Sequence, residues 1–127
     1  MKLKPVDVRI VWDQIRTTLH KASLRFNEDW RPEDVYAQCV NGRATVYMGD
    51  EGFAVLKLIT NEFTAQDELF IWIAIFEGDG VAEKYWPDVR EIARNAGAKR
   101  ITMMSKRKGF ERDKELKPVS TLYEVYV

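Results

Sequence analysis

The segment from Leu69 to Met104 limits what this chain can fold into more than any other. It opens with a run of bulky, β-prone residues, Leu69 to Phe76, long enough for a central strand and bounded by charges. Glu77-Gly78-Asp79-Gly80-Val81-Ala82 then breaks the strand. Val81, Tyr85, Val89, Ile92, Ala93 and Ala96 follow at helical spacing, up to Gly97. Arg100 to Ser105 is β-prone again. The result is a β-α-β unit whose strands run parallel with a right-handed crossover. Pro87 falls inside the helical stretch, so either the helix kinks there or it starts there and Gly80 to Trp86 is a loop. A strand that breaks at a Gly-x-Gly turn and enters a helix offers backbone N–H groups to a phosphate. The same residues also read as an ordinary strand-to-helix turn in which Asp79 caps the helix.

Upstream, Val8, Val11, Trp12, Ile15 and Leu19 predict a helix from about Asp7 to Ser23. A second helix begins at Pro32, with Glu33 and Asp34 at its positive end, and stops at Asn41-Gly42. Ala44 to Met48 and Phe53 to Ile59, joined by Gly49-Asp50-Glu51-Gly52, read as a β-hairpin. Downstream, Lys106 to Lys117 reads as a short charged helix ended by Pro118, and Val119 to Val127 as a last strand. A hairpin-rich sheet followed by one crossover helix is α+β, here a single domain over residues 1–127.

Composition closes several routes to function. Lys plus Arg equals Asp plus Glu at 20 each, so no net field attracts nucleic acid. Basic residues nevertheless gather between Lys99 and Lys117, where Lys106, Arg107, Lys108 and Arg112 could grip a phosphate or a nucleic acid. Glu111, Asp113 and Glu115 interleave with them, as on a solvated helix face. Cys39 is the only cysteine, so no intramolecular disulfide and no cysteine zinc site is expected; it falls on the apolar face of the second helix as a small core residue. His20 is the only imidazole and has no evident acid or nucleophile partner. No metal site is expected. No apolar run approaches the ~20 residues of a membrane helix, and charges interrupt the N-terminal apolar stretch, so neither a membrane span nor a signal peptide is expected and the cytoplasm is the default location.

The order of elements resembles the GCN5-related N-acetyltransferase fold: two N-terminal helices, an antiparallel meander, one β-α-β crossover, a short helix and a C-terminal strand. More narrowly, the chain resembles small phage-encoded proteins with an acetyltransferase-like fold. The shared features are Trp12 in the first helix, Trp30-x-x-x-Asp34-Val35, Ile92-Ala93-Arg94-x-x-Gly97, the run Lys106 to Arg112, and a Tyr-containing last strand. In the acetyltransferases the turn after the central strand reads Gln/Arg-x-x-Gly-x-Gly/Ala, and its amides hold the pyrophosphate of coenzyme A. The matching positions here are Glu77, Gly80 and Ala82, so the resemblance implies a cofactor cradle of Phe76, Gly78, Gly80, Val81 and Ala82, with an acid at the first position and Asp79 inside. The family's general base is often a Glu or a water on the meander strands; Glu62, Glu68 and Glu77 are the candidate residues. The family's thiolate-protonating Tyr has no counterpart between Lys106 and Lys117.

Three functions follow from this resemblance and from the residues. The first is a catalytically degenerate phage-type protein, in the virion or the host cytoplasm, that works through contacts with a phage or host protein. The second is an acetyl-CoA-dependent N-acyltransferase in which an amine attacks the thioester directly. The third is a nucleic-acid-binding accessory using Lys106, Arg107, Lys108 and Arg112. Acetyl-CoA is the cofactor only under the second.

Overall fold

A computed structural model describes residues 2–105 and 113–127. The elements are β1 (Lys4–Val6), α1 (Val8–Arg25), α2 (Pro32–Val40), β2 (Thr45–Met48), β3 (Gly52–Thr60), β4 (Asp67–Phe76), a 3-10 helix (Ala82–Tyr85), α3 (Trp86–Asn95) and β5 (Arg100–Met103). The five strands form one mixed sheet in the order β1-β2-β3-β4-β5. Neighbours are antiparallel through β4, and β4 and β5 are parallel, as the β-α-β reading requires.

Both N-terminal helices form where the apolar spacing places them. Asp7 caps α1, its carboxylate accepting the Arg9 N–H at 2.9 Å. Asp34 reaches back to the Arg31 N–H at 2.8 Å at the start of α2. α1 and α2 lie on one face of the sheet and α3 on the other. Ile15 and Leu19 of α1 and Val35 of α2 are buried against Val46, Phe53, Val55 and Ile73. Val89 and Ala93 of α3 are buried against Ala54, Leu56, Leu69 and Ile71.

In β4 an extra residue lets one strand serve both cores. Val55 pairs with Ile73 while the next residue, Leu56, pairs with Ile71. Trp72 is therefore a bulge, and it moves Ile73 to the α1–α2 face while Leu69 and Ile71 face α3.

Two expectations are corrected. Lys4–Val6 forms an edge strand that the sequence pattern did not announce. It is three residues long and holds Pro5, which an edge tolerates. Val119 to Val127 forms no strand; it carries no regular structure and its side chains stand in solvent. High β-propensity makes a strand only where a neighbouring ladder receives it. Of the expected helix at Lys106 to Lys117, residues 106–112 lie outside the described residues, and 113–117 form a turn in which the Leu116 N–H donates to Asp113.

Candidate functional site

The ladder between β4 and β5 runs from Glu68↔Arg100 to Ile71↔Met103, while β4 continues to Phe76. The two strands therefore part at the bulge. On the α1–α2 side a cleft of about 50 Å³ opens there, lined by Trp30, Trp72, Ile73, Ile75 and Met103. On the α3 side a second, almost wholly apolar cleft of about 40 Å³ lies among Leu56, Ile71, Phe76, Tyr85 and Met103. Either is room for a few waters as it stands.

Past Phe76 the backbone turns sharply. Gly78 has φ 106° and Gly80 φ 72°, values that side chains adopt only under strain. A Cβ on Gly78 would also sit 2.8 Å from Val81 Cγ2. Among the described residues, no backbone carbonyl accepts the N–H groups of Gly78, Asp79 or Gly80. The chain then enters the 3-10 helix and α3, with Pro87 in the first turn of α3, where its missing N–H costs nothing. The helix thus starts at the proline and does not kink there. No side chain caps either element, so Asp79 is not a helix cap.

The turn is held rigidly from below. The Glu77 N–H donates to the Glu51 carbonyl at 2.9 Å. The Tyr85 ring stacks on Phe76 with centroids 4.7 Å apart and planes 25° apart. Tyr85 is buried, and its hydroxyl has no hydrogen-bond partner. That hydroxyl lies against Gly49 of the β2–β3 turn, 2.7 Å from where a Cβ there would stand. One Glu51 carboxylate oxygen is likewise buried without a partner.

Of the residues singled out from the sequence, Phe76, Gly78, Gly80, Val81 and Ala82 come together at this turn. Val81 is a buried plug and the glycines are exposed. Glu77 and Asp79 are exposed on the same turn, and Glu83 Oε2 lies 3.2 Å from the position of a Gly80 Cβ, making three carboxylates around two glycines. Among the described residues none of the three forms a salt bridge. Glu68 is at the opposite end of β4, roughly 26 Å from Phe76 at strand rise, and is paired with Arg100 at 2.8 Å. Glu62 lies beyond it in the exposed β3–β4 connection. Neither reaches the turn. His20 is exposed on α1. Cys39 is half-buried, and burial pushes its thiol up to about 11 despite the nearby Lys57 ammonium, which leaves it inert as a nucleophile at neutral pH. Lys106, Arg107, Lys108 and Arg112 lie outside the described residues.

Sequence reasoning missed the Trp72 bulge and the Gly49–Tyr85–Phe76 stack. The bulge is invisible to a period-two pattern, and the stack joins residues far apart in the chain. Among the described residues no group of three or more His, Cys, Asp or Glu could hold a metal ion, and no helix is long and apolar enough to cross a membrane.

No protein-family model matches the sequence, and no curated protein matches it either. Solved structures do. A putative acetyl transferase from Pyrococcus furiosus superposes with TM-score 0.72 at 14% identity, over 99% of this chain and 100% of that one. The ribosomal-protein-alanine N-acetyltransferase from Brucella melitensis biovar Abortus 2308 gives TM-score 0.69 at 13% identity, over 100% of both chains. An aminoglycoside acetyltransferase from an uncultured soil metagenomic sample, in complex with sisomicin, gives 0.65 at 8%, over 99% of this chain and 96% of that one. Likeness over whole chains at such low identity is a likeness of fold: three helices on a five-stranded mixed sheet, arranged as in the GCN5-related N-acetyltransferases.

Proposed function

We propose that this chain is an acetyl-CoA-dependent N-acyltransferase. One observation carries the reading: β4 loses its parallel partner at Ile71 and runs on, past an apolar cleft, into a glycine turn whose amides take no backbone partner. The turn leaves room for an anion, because the N–H groups of Gly78, Asp79 and Gly80 take no backbone carbonyl among the described residues and neither glycine carries a Cβ. The stack of Tyr85 on Phe76 and the Glu77–Glu51 hydrogen bond hold those amides in place before anything binds. Acetyl-CoA, when bound, supplies the activated acetyl group. Ile73, Ile75 and Met103 line the cleft at the parting of the strands, through which an acceptor amine would reach the thioester.

The three carboxylates oppose this site without abolishing it. Glu77 and Asp79 are exposed, so water screens them. At about 6 Å in a water-like dielectric, each unit charge costs about 0.7 kcal/mol against each negative charge of the pyrophosphate. The expected result is weak, salt-sensitive binding.

The same carboxylates favour a second reading, the catalytically degenerate phage-type scaffold acting through a phage or host protein. Isothermal titration with acetyl-CoA separates the two. Micromolar to submillimolar binding that Gly80→Asp removes supports the acyltransferase. No heat at millimolar ligand, for the parent chain and for Glu77→Gln/Asp79→Asn alike, removes it and leaves the scaffold.

A further inference from the structure

The C-terminal segment is the part of the molecule that nothing in the site explains. Between Val119 and Val127 it carries Val119 at 69% exposure, Leu122 at 90%, Tyr123 at 86%, Val125 at 90% and Tyr126 at 88%. Such a density of exposed apolar side chains in nine residues marks an interaction surface. The pattern is that of a strand. Val119, Thr121, Tyr123, Val125 and Val127 share one face at period two, while Ser120, Leu122, Glu124 and Tyr126 share the other.

The sheet offers a matching vacancy. β5 is its last strand, and no described residue pairs with its outer edge. An edge of unpaired N–H and C=O groups is a template for a further strand. Ile101 and Met103 face the α3 core, and Arg100 and Thr102 the other side. A tail laid with Tyr123 and Val125 beside Ile101 and Met103 therefore carries Glu124 on the face of Arg100, which already pairs with Glu68, so the apolar side chains and not this charge carry the contact.

The chain's own tail does not take this place. The Asp113 carboxylate accepts the Trp86 indole N–H at 2.7 Å, and Glu115 pairs with Arg90. The chain is thus pinned to α3 just before the tail, and Pro118 with the residue before it favours an extended exit. From that anchor the nine residues project into solvent.

We propose that residues 119–127 add to the outer edge of β5 in a second copy of this chain, each copy donating one strand and receiving one. The reciprocal arrangement closes with two-fold symmetry and leaves neither edge open. It also buries enough. Two tyrosines per tail bury roughly 150–250 Å² each, or roughly 600–1,000 Å² in the pair of tails before Leu122 and the valines are added. A stable interface needs roughly 1,200–2,000 Å².

The test is the mass of the intact chain in solution, with hydrogen exchange on the same samples. At tens of micromolar the 14.8 kDa chain should sediment at twice that mass. A chain ending at Pro118, and separately Tyr123→Asp/Val125→Asp, should be monomeric and still cooperatively folded, losing no more far-ultraviolet strand signal than the donated tail supplies, because the tail supports nothing in its own copy. The amides of Arg100–Met103 that point away from β4 should be protected in the dimer and lose that protection in both variants, while those bonded to β4 stay protected throughout. A monomeric intact chain overturns the proposal, whether its tail exchanges freely or is protected on its own sheet. So does a dimer that survives truncation, or one that leaves the outward β5 amides unprotected.

Discussion

Replacing Gly49 by alanine should loosen the floor of the glycine turn from a distance. Its φ is ordinary, so alanine meets no backbone strain and the effect is steric. The new methyl would stand 2.7 Å from the Tyr85 hydroxyl, 2.9 Å from Cζ and 3.1 Å from Cε1. Tyr85 has little room to retreat, being 2% exposed and stacked on Phe76 at 4.7 Å. Overpacking of this kind costs about 1–3 kcal/mol. At this chain length that is a fall in Tm of about 3–5 °C per kcal/mol, between the values for smaller and larger domains. Tyr85→Phe acts in the opposite sense. It deletes a buried hydroxyl that has no partner and whose burial costs about 1–3 kcal/mol, so the variant should be as stable as the parent or about 1 kcal/mol more so. In the double variant the shortest contact is gone and only the ring carbons remain, so Gly49→Ala should cost about 1 kcal/mol less than in the parent. Urea denaturation of the four chains measures all three quantities. A Tyr85→Phe variant more than 1 kcal/mol less stable than the parent, or a double variant that is strictly additive, would refute the packing argument.

Three further outcomes are expected. Glu77→Gln and Asp79→Asn should each tighten acetyl-CoA by about ten-fold, roughly 1.4 kcal/mol against the two pyrophosphate charges, in low salt, with the gain shrinking at 0.5 M NaCl; titrations at the two salt concentrations check this, and unchanged affinity would mean the ligand does not meet this turn. Cys39 should react with iodoacetamide at pH 8 roughly two orders of magnitude more slowly than an open thiol, because a thiol pushed up to about 11 holds so little thiolate there; rapid labelling of the folded chain would contradict the burial that causes the shift. At the start of α2, a backbone hydrogen bond and the Arg16 side chain hold Glu33 below its ordinary 4.5, and the Arg31 N–H and side chain hold Asp34 below its ordinary 3.8. A lowered folded-state value adds stability that is present above the ordinary value and is lost as pH falls through the lowered one. The Tm difference between the parent and Asp34→Ala should therefore be full at pH 7 and vanish toward pH 2; a difference independent of pH would point to packing instead.

The sequence announces those elements whose apolar period is regular. Val8 to Leu19, the Pro32 start, the hairpin around Gly49–Gly52 and the crossover helix all form within a residue or two of expectation. The failures have physical reasons. Lys4–Val6 is a strand only because Val46 to Met48 lies beside it, and three residues carry no readable period. Val119 to Val127 has a strong strand period but no ladder in its own copy, the opposite case. At the site, the glycines are legible because positive φ demands them. The rigidity beneath them is not, because Gly49, Phe76 and Tyr85 meet only through the fold.

The position of the cleft follows from a single residue. Were β4 regular, Leu69, Ile71, Ile73 and Ile75 would all face α3, and the α1–α2 core would lose the residue that closes it beside Val55. Inserting Trp72 turns the second half of the strand over, so each core receives its own part of β4. A parallel partner cannot follow that change of face with an unbulged backbone, and the ladder with β5 ends at Ile71↔Met103, the last pair before the bulge. The extra residue that satisfies two cores is thus also what parts the strands, and the backbone it frees leads directly to Gly78 and Gly80. Core packing and site geometry have a common cause here. The charges on the turn do not share it: Glu77, Asp79 and Glu83 are exposed, outside the residues that the two cores bury.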